Sequence, residues 1–335
     1  MKHWQETSLL LEEAARQSAT GHQVALATVV RIAGSAYRRP GAKLLIADGG
    51  SMTGGVSGGC LEADVREIAL GVIKSGQPAL RTYDTSGDEQ QIWGLGLGCN
   101  GMVEIFIQRL DLDAPWVARL RDALRLDQII ALSTVLTGPD AGATRLLDAA
   151  GRLTSGIVDE AAQRAFIEVL EPPPRLVVCG AGDDARPLAA LANDAGFRVA
   201  VVDHRPAYLA ADRFPPGVSL HDARPESGLS ALSLTADSCV TILTHSEAHD
   251  RGWLRAAFDS PASYIGLLGP RRRGERLLAQ LGMSDSPRLF SPIGLDVAAD
   301  GPEQIAVSVV AELLAVRAAR APRHLRERES GIHAS

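Results

Sequence analysis

The sequence predicts an α/β protein: a doubly wound parallel sheet in the C-terminal half, preceded by a smaller mixed α+β domain. Three observations carry this. Leu176–Asp203 begins as an apolar run of strand length and turns at Gly180-Ala181-Gly182. It continues with Leu188, Leu191 and Ala195 at helical spacing and ends as a second apolar strand at Asp203. Further apolar strands, Cys239–Thr244 and Ser263–Leu268, alternate with helical stretches beyond it. Upstream, short strands are separated by glycine-rich loops, and Pro172-Pro173-Pro174 reads as a stiff linker. The expected division is 1–171, the 172–174 linker, a Rossmann-like domain over 175–320, and a frayed charged tail over 321–335.

Taken in order, Trp4–Ser18 reads as an amphipathic helix with Leu9, Leu10, Ala14 and Ala15 inward, stopped at Gly21. Gln23–Arg31 and Lys43–Ala47 read as strands, separated by a polar loop carrying Arg38 and Arg39. Asp48-Gly49-Gly50 is a hairpin-type turn. The passage Thr53–Glu62 packs Gly54, Gly55, Gly58 and Gly59 ahead of Cys60 and leads into a helix over about Leu61–Lys74. A second glycine run, Trp93–Gly101, contains Gly98 and Cys99 and enters the strand Met102–Ile107. Gln128–Leu136 then echoes the Gln23 strand, and the stretch from Gly142 to Ile157 echoes that from Gly41 to Val56. Two related hairpin units within one domain, closed by Phe166–Leu170, are expected. The second unit lacks the arginine loop and the glycine-flanked cysteine. Because folding needs should recur in both units, those extras are the functional candidates.

In the second half a helix is expected from about Arg251, another over Arg271–Leu281 and a last over Pro302–Arg317, with Pro292–Asp296 as a loop. Composition narrows the function classes. Of 335 residues 46% are hydrophobic and 4% aromatic, and the formal net charge is −6. An acidic balance gives no electrostatic footprint for nucleic acid. No apolar stretch is long enough for a membrane span, and the N-terminus lacks a signal-peptide core. The four cysteines are too dispersed for a disulfide framework, so the cytoplasm is the expected compartment.

Ligands of open parallel sheets sit beyond the strands' carboxyl ends. That places Gly180, Gly182, Asp203, Thr244-His245 and the Gly269-Pro270 turn around one expected crevice. The glycines let a helix N-terminus approach a phosphate, and Asp203, about twenty residues after Gly182, stands where a ribose-binding acid belongs. Against this, Asp183 and Asp184 would repel a pyrophosphate. His245 and His249 have the spacing to share a helix face, but the order His-Ser-Glu-Ala-His is not that of a zinc protease. Cys60 sits at a helix N-terminus, a setting that favours the thiolate, a soft metal ligand. Cys179 and Cys239 lie inside strands and read as core. Arg38, Arg39 and Lys43 concentrate positive charge suited to a phosphate, and the glycine loops offer backbone N–H groups to an anion. A nicotinamide- or flavin-dependent oxidoreductase using the second domain is the alternative that this pattern leaves open.

Together the motifs resemble those of the XdhC/CoxI family, accessory proteins of xanthine dehydrogenase-type molybdenum hydroxylases. The carriers are Gly34-Ser35 with Arg39-Pro40-Gly41-Ala42, Gly54 through Glu62, and Trp93 through Cys99. To these add Glu171 through Leu176, Gly180 through Ala185 with Val202-Asp203, Thr244-His245, Tyr264-Ile265-Gly266 and Pro292–Asp296. The resemblance implies a chaperone that binds the molybdenum cofactor, protects it during sulfuration by a cysteine desulfurase, and delivers it to an apo-hydroxylase. It implies Cys60 and Cys99 as contacts to molybdenum or its sulfur, with Arg39, Gly58, Gly59 and Gly98 holding the pterin phosphate. A homodimer would match a two-copy client, and a dinucleotide at the Gly180–Gly182 fingerprint is a further expectation. Two departures stand out: Asn100 and Pro270 replace the family's glycine and serine.

Overall fold

The computed structural model describes residues 2–34, 37–84, 101–148, 153–160, 163–283 and 286–328. The chain divides into two compact units, Met1–Pro172 and Pro173–Ser335.

The first unit runs α1 (Lys2–Ala19), β1 (Val24–Gly34), β2 (Lys43–Ala47), β3 (Met52–Gly54), α2 (Glu62–Ser75), β4 (Ala79–Asp84) and β5 (Gly101–Arg109). It continues with α3 (Pro115–Leu126), β6 (Ile130–Val135), β7 (Thr144–Leu146), β8 (Gly156–Glu160) and β9 (Gln163–Leu170). Two antiparallel sheets result, ordered β3-β2-β1-β5-β4 and β7-β6-β9-β8. Alternation along β1 sorts the core: Ala25, Ala27 and Val29 pack under α2, while Val24 and Leu26 meet α1, α3 and the second sheet.

The repeat visible in the sequence is a structural one. The order β2-β1-β5-β4 recurs as β7-β6-β9-β8. In the first hairpin the Gly41 amide donates to Val29 O at 2.8 Å and Val29 N to Ala42 O at 2.9 Å. In the second, Gly142 N donates to Val135 O and Val135 N to Ala143 O, both at 2.9 Å. Both glycines hold a left-handed backbone, φ +94° and +92°, so the shared glycine is a conformational need of the turn. Among the described residues the second copy has no counterpart of α2.

The second unit is a six-stranded parallel sheet ordered β12-β11-β10-β13-β14-β15. Its strands are β10 (Arg175–Cys179), β11 (Arg198–Asp203), β12 (Ser219–Asp222), β13 (Cys239–Ile242), β14 (Tyr264–Leu267) and β15 (Leu289–Phe290). Its helices are α4 (Ala185–Asp194), α5 (Glu247–Phe258), α6 (Arg271–Leu281) and α7 (Pro302–Arg317). Leu176 and Val178 of β10 face α4 and α7, whereas Val177 and Cys179 face α5 and α6. Helices on both faces of a parallel sheet with this order are the doubly wound arrangement expected. No helix among the described residues is long and apolar enough to cross a membrane.

Several elements escape the sequence pattern or move. Helix α3 and strands β4, β12 and β15 are not anticipated by it, and α5 starts at Glu247 rather than near Arg251. Pro115 at the start of α3, with Val117, Leu120 and Ala123 buried, is the signal that would have found it.

Candidate functional site

In the first unit the topology gathers the functional candidates at one end of the five-stranded sheet. Gly34 at the end of β1 pairs with Gly101 at the start of β5, and Asp84 at the end of β4 pairs with Met102. Lys43 at the start of β2 lies opposite Thr28, and Gly54 at the end of β3 opposite Leu44. The arginine loop, the Cys60 loop and the chain on either side of residues 85–100 therefore depart from the same edge. Cys99 and Gly98, like Ser35 and Asn100, lie outside the described residues.

Cys60 is half-buried, packed against the core under α2, with Sγ donating to Ser57 Oγ at 3.5 Å. The loop is shaped by its own side chains. Ser57 Oγ accepts the amides of Gly59 and Leu61, each at 3.1 Å, and donates to the Glu62 carboxylate. Glu62 in turn accepts Val56 N at 3.2 Å and Ser57 N at 2.9 Å. Burial alone would raise the Glu62 carboxyl, but the Ser57 hydroxyl and these amides outweigh it and hold it below the ordinary carboxylate value. The loop was expected to offer its amides to an anion. It spends four of them internally, two on a carboxylate, and Glu62 is the residue that sequence reasoning missed. The run of glycines hid it, because a first-turn glutamate reads as an ordinary helix start.

The basic cluster also dissolves into parts. Lys43 is buried and paired with Glu168 of β9. Arg38 is paired with Glu6 of α1, both 14% exposed. Arg39 is exposed and makes no ion pair among the described residues. Only Arg39 is therefore placed to meet a ligand, a correction to the expected three-cation patch. Tyr37, two residues before it, lies against Gly58, 3.7 Å from where a Cβ would stand, so the arginine loop and the cysteine loop touch. Gly59 has φ +114° with open space around it.

In the second unit the strand ends enclose a crevice of about 200 Å³, lined by Gly180, Asp203, His204, Arg205, Thr244 and His249 among others. It lies where β10 and β13 diverge, the switch point of the sheet. Gly180 is required here: φ is +107° and a Cβ would stand 2.8 Å from Leu243 O. Gly182 has nothing within 4 Å of the equivalent point.

Asp203 is 4% exposed and already saturated. It accepts Ala181 N at 2.8 Å, Arg205 N at 2.9 Å, and Arg205 Nε and Nη2 at 2.9 and 2.8 Å. Burial would raise its carboxyl, yet Arg205 and the Ala181 amide outweigh that and bring it down to about 2. In this arrangement the acid anchors the glycine turn to β11. Arg205 lies over the Tyr208 ring at 3.9 Å.

His245 and His249 do not share a helix face, which corrects that expectation. His245 precedes α5 in a left-handed conformation, φ +57°, with Nε2 2.9 Å from Asp184 Oδ2. His249 meets His204 edge to face at 4.5 Å inside the crevice. The two acids expected to repel a phosphate both have partners: Asp184 has His245, and Asp183 has Arg213 at 3.3 Å. Nor does the Gly269-Pro270 turn line the crevice. Gly269 packs on Arg273, whose guanidinium pairs with buried Asp250. Cys179 and Cys239 are sealed in strands as expected, burial pushing Cys239 up to about 12.

Comparison with known proteins agrees with this layout. A family model described as the XdhC Rossmann domain matches residues 176–313, and one described as the XdhC and CoxI family matches residues 17–84. A protein of Bacillus subtilis named as a probable xanthine dehydrogenase subunit is 34% identical over 311 residues, 88% of this chain and 93% of that protein. The molybdenum cofactor insertion chaperone PaoD of Escherichia coli is 26% identical over 303 residues, covering 89% and 85% of the two chains. The crystal structure of a xanthine dehydrogenase from Bacillus halodurans superposes with a TM-score of 0.78 at 28% identity, covering 93% of this chain and 96% of that one. With a relative of 34% identity spanning nearly its whole length, the chain belongs to the XdhC and CoxI family.

Proposed function

We propose that this protein is an accessory chaperone that binds the molybdenum cofactor and inserts it into a xanthine dehydrogenase-type hydroxylase in the cytoplasm. The observation that carries the reading is the meeting of two loops at one sheet end. One brings the half-buried Cys60 thiol and the other the exposed Arg39 guanidinium, which makes no ion pair among the described residues. A soft thiol suits molybdenum or its sulfur, and a guanidinium suits the pterin phosphate. Glu62 fits a different task, since its charge keeps the phosphate away from the loop's own amides and leaves Arg39 to receive it. Cys99 is the second candidate contact to the metal. Further support comes from PaoD, a relative named for cofactor insertion.

In this reading the terminal sulfur is installed while the cofactor is held, with a cysteine desulfurase as donor and the apo-hydroxylase as recipient. The glycine turn of the second unit is open above Gly182 and suits an additional phosphate-bearing ligand such as a dinucleotide. The test is direct. Protein purified from cells that make the cofactor is analysed for molybdenum by mass spectrometry and for pterin by fluorescence after oxidation. Near-stoichiometric loading, falling several-fold in Cys60→Ala, is expected. Background levels of both in the wild type would overturn the reading. Saturable NAD(H) binding with measurable hydride transfer would instead favour an oxidoreductase.

A further inference from the structure

The two hairpin copies pack against each other in a twofold-like arrangement, and one pair of side chains breaks the symmetry. Register equates Lys43 with Thr144, opposite Thr28 and Thr134, and Gln108 with Glu168, opposite Leu26 and Leu132. Each turn glycine meets the other copy: a Cβ on Gly41 would stand 3.4 Å from Glu168 Oε1, and one on Gly142 3.6 Å from Gln108 Oε1. Each glycine carbonyl also accepts a bond from the side chain two places on, from Lys43 Nζ at 3.1 Å and from Thr144 Oγ1 at 3.4 Å. At the second turn these groups, Thr144 and Gln108, are neutral. At the first they are a buried ammonium paired with a buried carboxylate.

Folding does not call for that charge. The second turn makes the same backbone bonds with neutral groups. A buried ion pair gives little or no net stability over a neutral pair of the same volume, because both ions lose their hydration. What sets the first turn apart is its length. The chain from Val29 to Gly41 is longer than that from Val135 to Gly142, and the longer one carries Arg38 and Arg39. A longer loop loses more entropy on closing. This one is gripped on both sides of Arg39. Arg38 pairs with Glu6 of α1, and Lys43 holds the Gly41 carbonyl while pairing with Glu168 of β9. Between them the Arg39 carbonyl accepts the Ala42 amide at 3.0 Å and closes the turn.

We propose that Lys43 and Glu168 are positioning residues, whose buried ion pair fixes the turn from Arg39 to Ala42 and so holds the Arg39 guanidinium in place for the cofactor phosphate. The inference rests on the role proposed for Arg39 and adds the pair that acts through it. A neutral pair would close the turn, but an ammonium that donates to Gly41 O and is itself bonded to an anion resists opening more strongly.

Two measurements on the full-length protein test this. The first is residue-resolved hydrogen exchange of the wild type. The Gly41 and Ala42 amides bond to Val29 O and Arg39 O as those of Gly142 and Ala143 do to Val135 O and Asp140 O. With the ion pair bracing their turn, Gly41 and Ala42 should exchange several-fold more slowly than their counterparts. Equal or faster exchange overturns the proposal. The second measurement replaces the pair with neutral side chains of similar size, Lys43→Met with Glu168→Gln. The urea midpoint should stay near that of the wild type. Exchange over residues 37–42 should rise roughly tenfold. Molybdenum and pterin content of protein from cofactor-producing cells should fall several-fold, to the level of Arg39→Ala. A pair that only supports the fold would leave exchange and content unchanged once stability is kept, and that result overturns the proposal. Should the double variant misfold, Lys43→Thr with Glu168→Gln writes the second copy's own pair into the first turn and is read in the same way. A wild type without cofactor overturns the role of Arg39 and this inference with it. A loaded wild type whose double variant loads equally overturns this inference alone.

Discussion

The Asp203 carboxylate accepts the Ala181 amide at 2.8 Å, tying the end of β11 to the glycine turn that follows β10. With Arg205 filling its remaining lone pairs, this acid is a structural pin. Its carboxyl is brought from 3.8 to about 2 in the folded protein, so it contributes stability that is complete above the unfolded value. That contribution is lost as pH falls through the folded value. The size is about 2 kcal/mol. Asp203→Asn should therefore lower the denaturant midpoint of this unit at pH 7. The gap between variant and wild type should close between about pH 4 and pH 2, which urea titrations across that range would reveal.

Gly180 and Gly182 should separate fold from ligand. Gly180→Ala forces a Cβ to 2.8 Å from Leu243 O at φ +107° and should cost about 3 kcal/mol. Gly182→Ala meets open space, and its thermal midpoint should stay close to the wild type. If a phosphate approaches that turn, the methyl group should still abolish binding in a calorimetric NAD(H) titration. A Gly182→Ala protein that titrates like the wild type would rule the turn out as a phosphate site.

The doubly wound unit was legible because its determinants are local: β10 and β11 are continuous apolar runs, and Gly180 marks the turn between β10 and α4. The duplicated hairpins were legible for the same reason, since Gly41 and Gly142 answer the same backbone demand. What stayed hidden depends on contacts distant in sequence. That Lys43 is consumed by Glu168 and Arg38 by Glu6 cannot be read from spacing, and so a cluster of three cations shrank to Arg39. Likewise Asp203 occupied the position of a ribose acid, yet Arg205 two residues on had already claimed it. His204 and His249 come from different elements and became neighbours only through the sheet.

Arg38 and Arg39 are adjacent but should behave oppositely. Removing Arg38 leaves the largely buried Glu6 of α1 without its guanidinium. Burial already works against that carboxylate, and the His3 contact and the charge of Arg38 are what hold it lowered. Arg38→Ala should cost about 2 kcal/mol in chemical denaturation. Arg39→Ala should leave stability within about 0.5 kcal/mol of wild type. It should nonetheless lower the molybdenum and pterin content of protein isolated from cofactor-producing cells several-fold.

Glu62 should set the shape of the cysteine loop. Its carboxylate accepts the Val56 and Ser57 amides and the Ser57 hydroxyl, and that hydroxyl oxygen in turn receives the amides around Cys60. Glu62→Gln keeps one acceptor oxygen but replaces the second with an N–H₂ that opposes the loop's donors. A loss of about 1–2 kcal/mol follows from weakening charge-assisted bonds. Ser57→Ala removes the hub itself and should free Gly59 and Leu61 N–H groups to exchange with solvent. Hydrogen–deuterium exchange read by mass spectrometry should show faster exchange over residues 57–61 in both variants, with β1 and β5 unchanged. If exchange there stays at wild-type rates, the loop is held by something other than Ser57 and Glu62, and the placement of Cys60 does not depend on them.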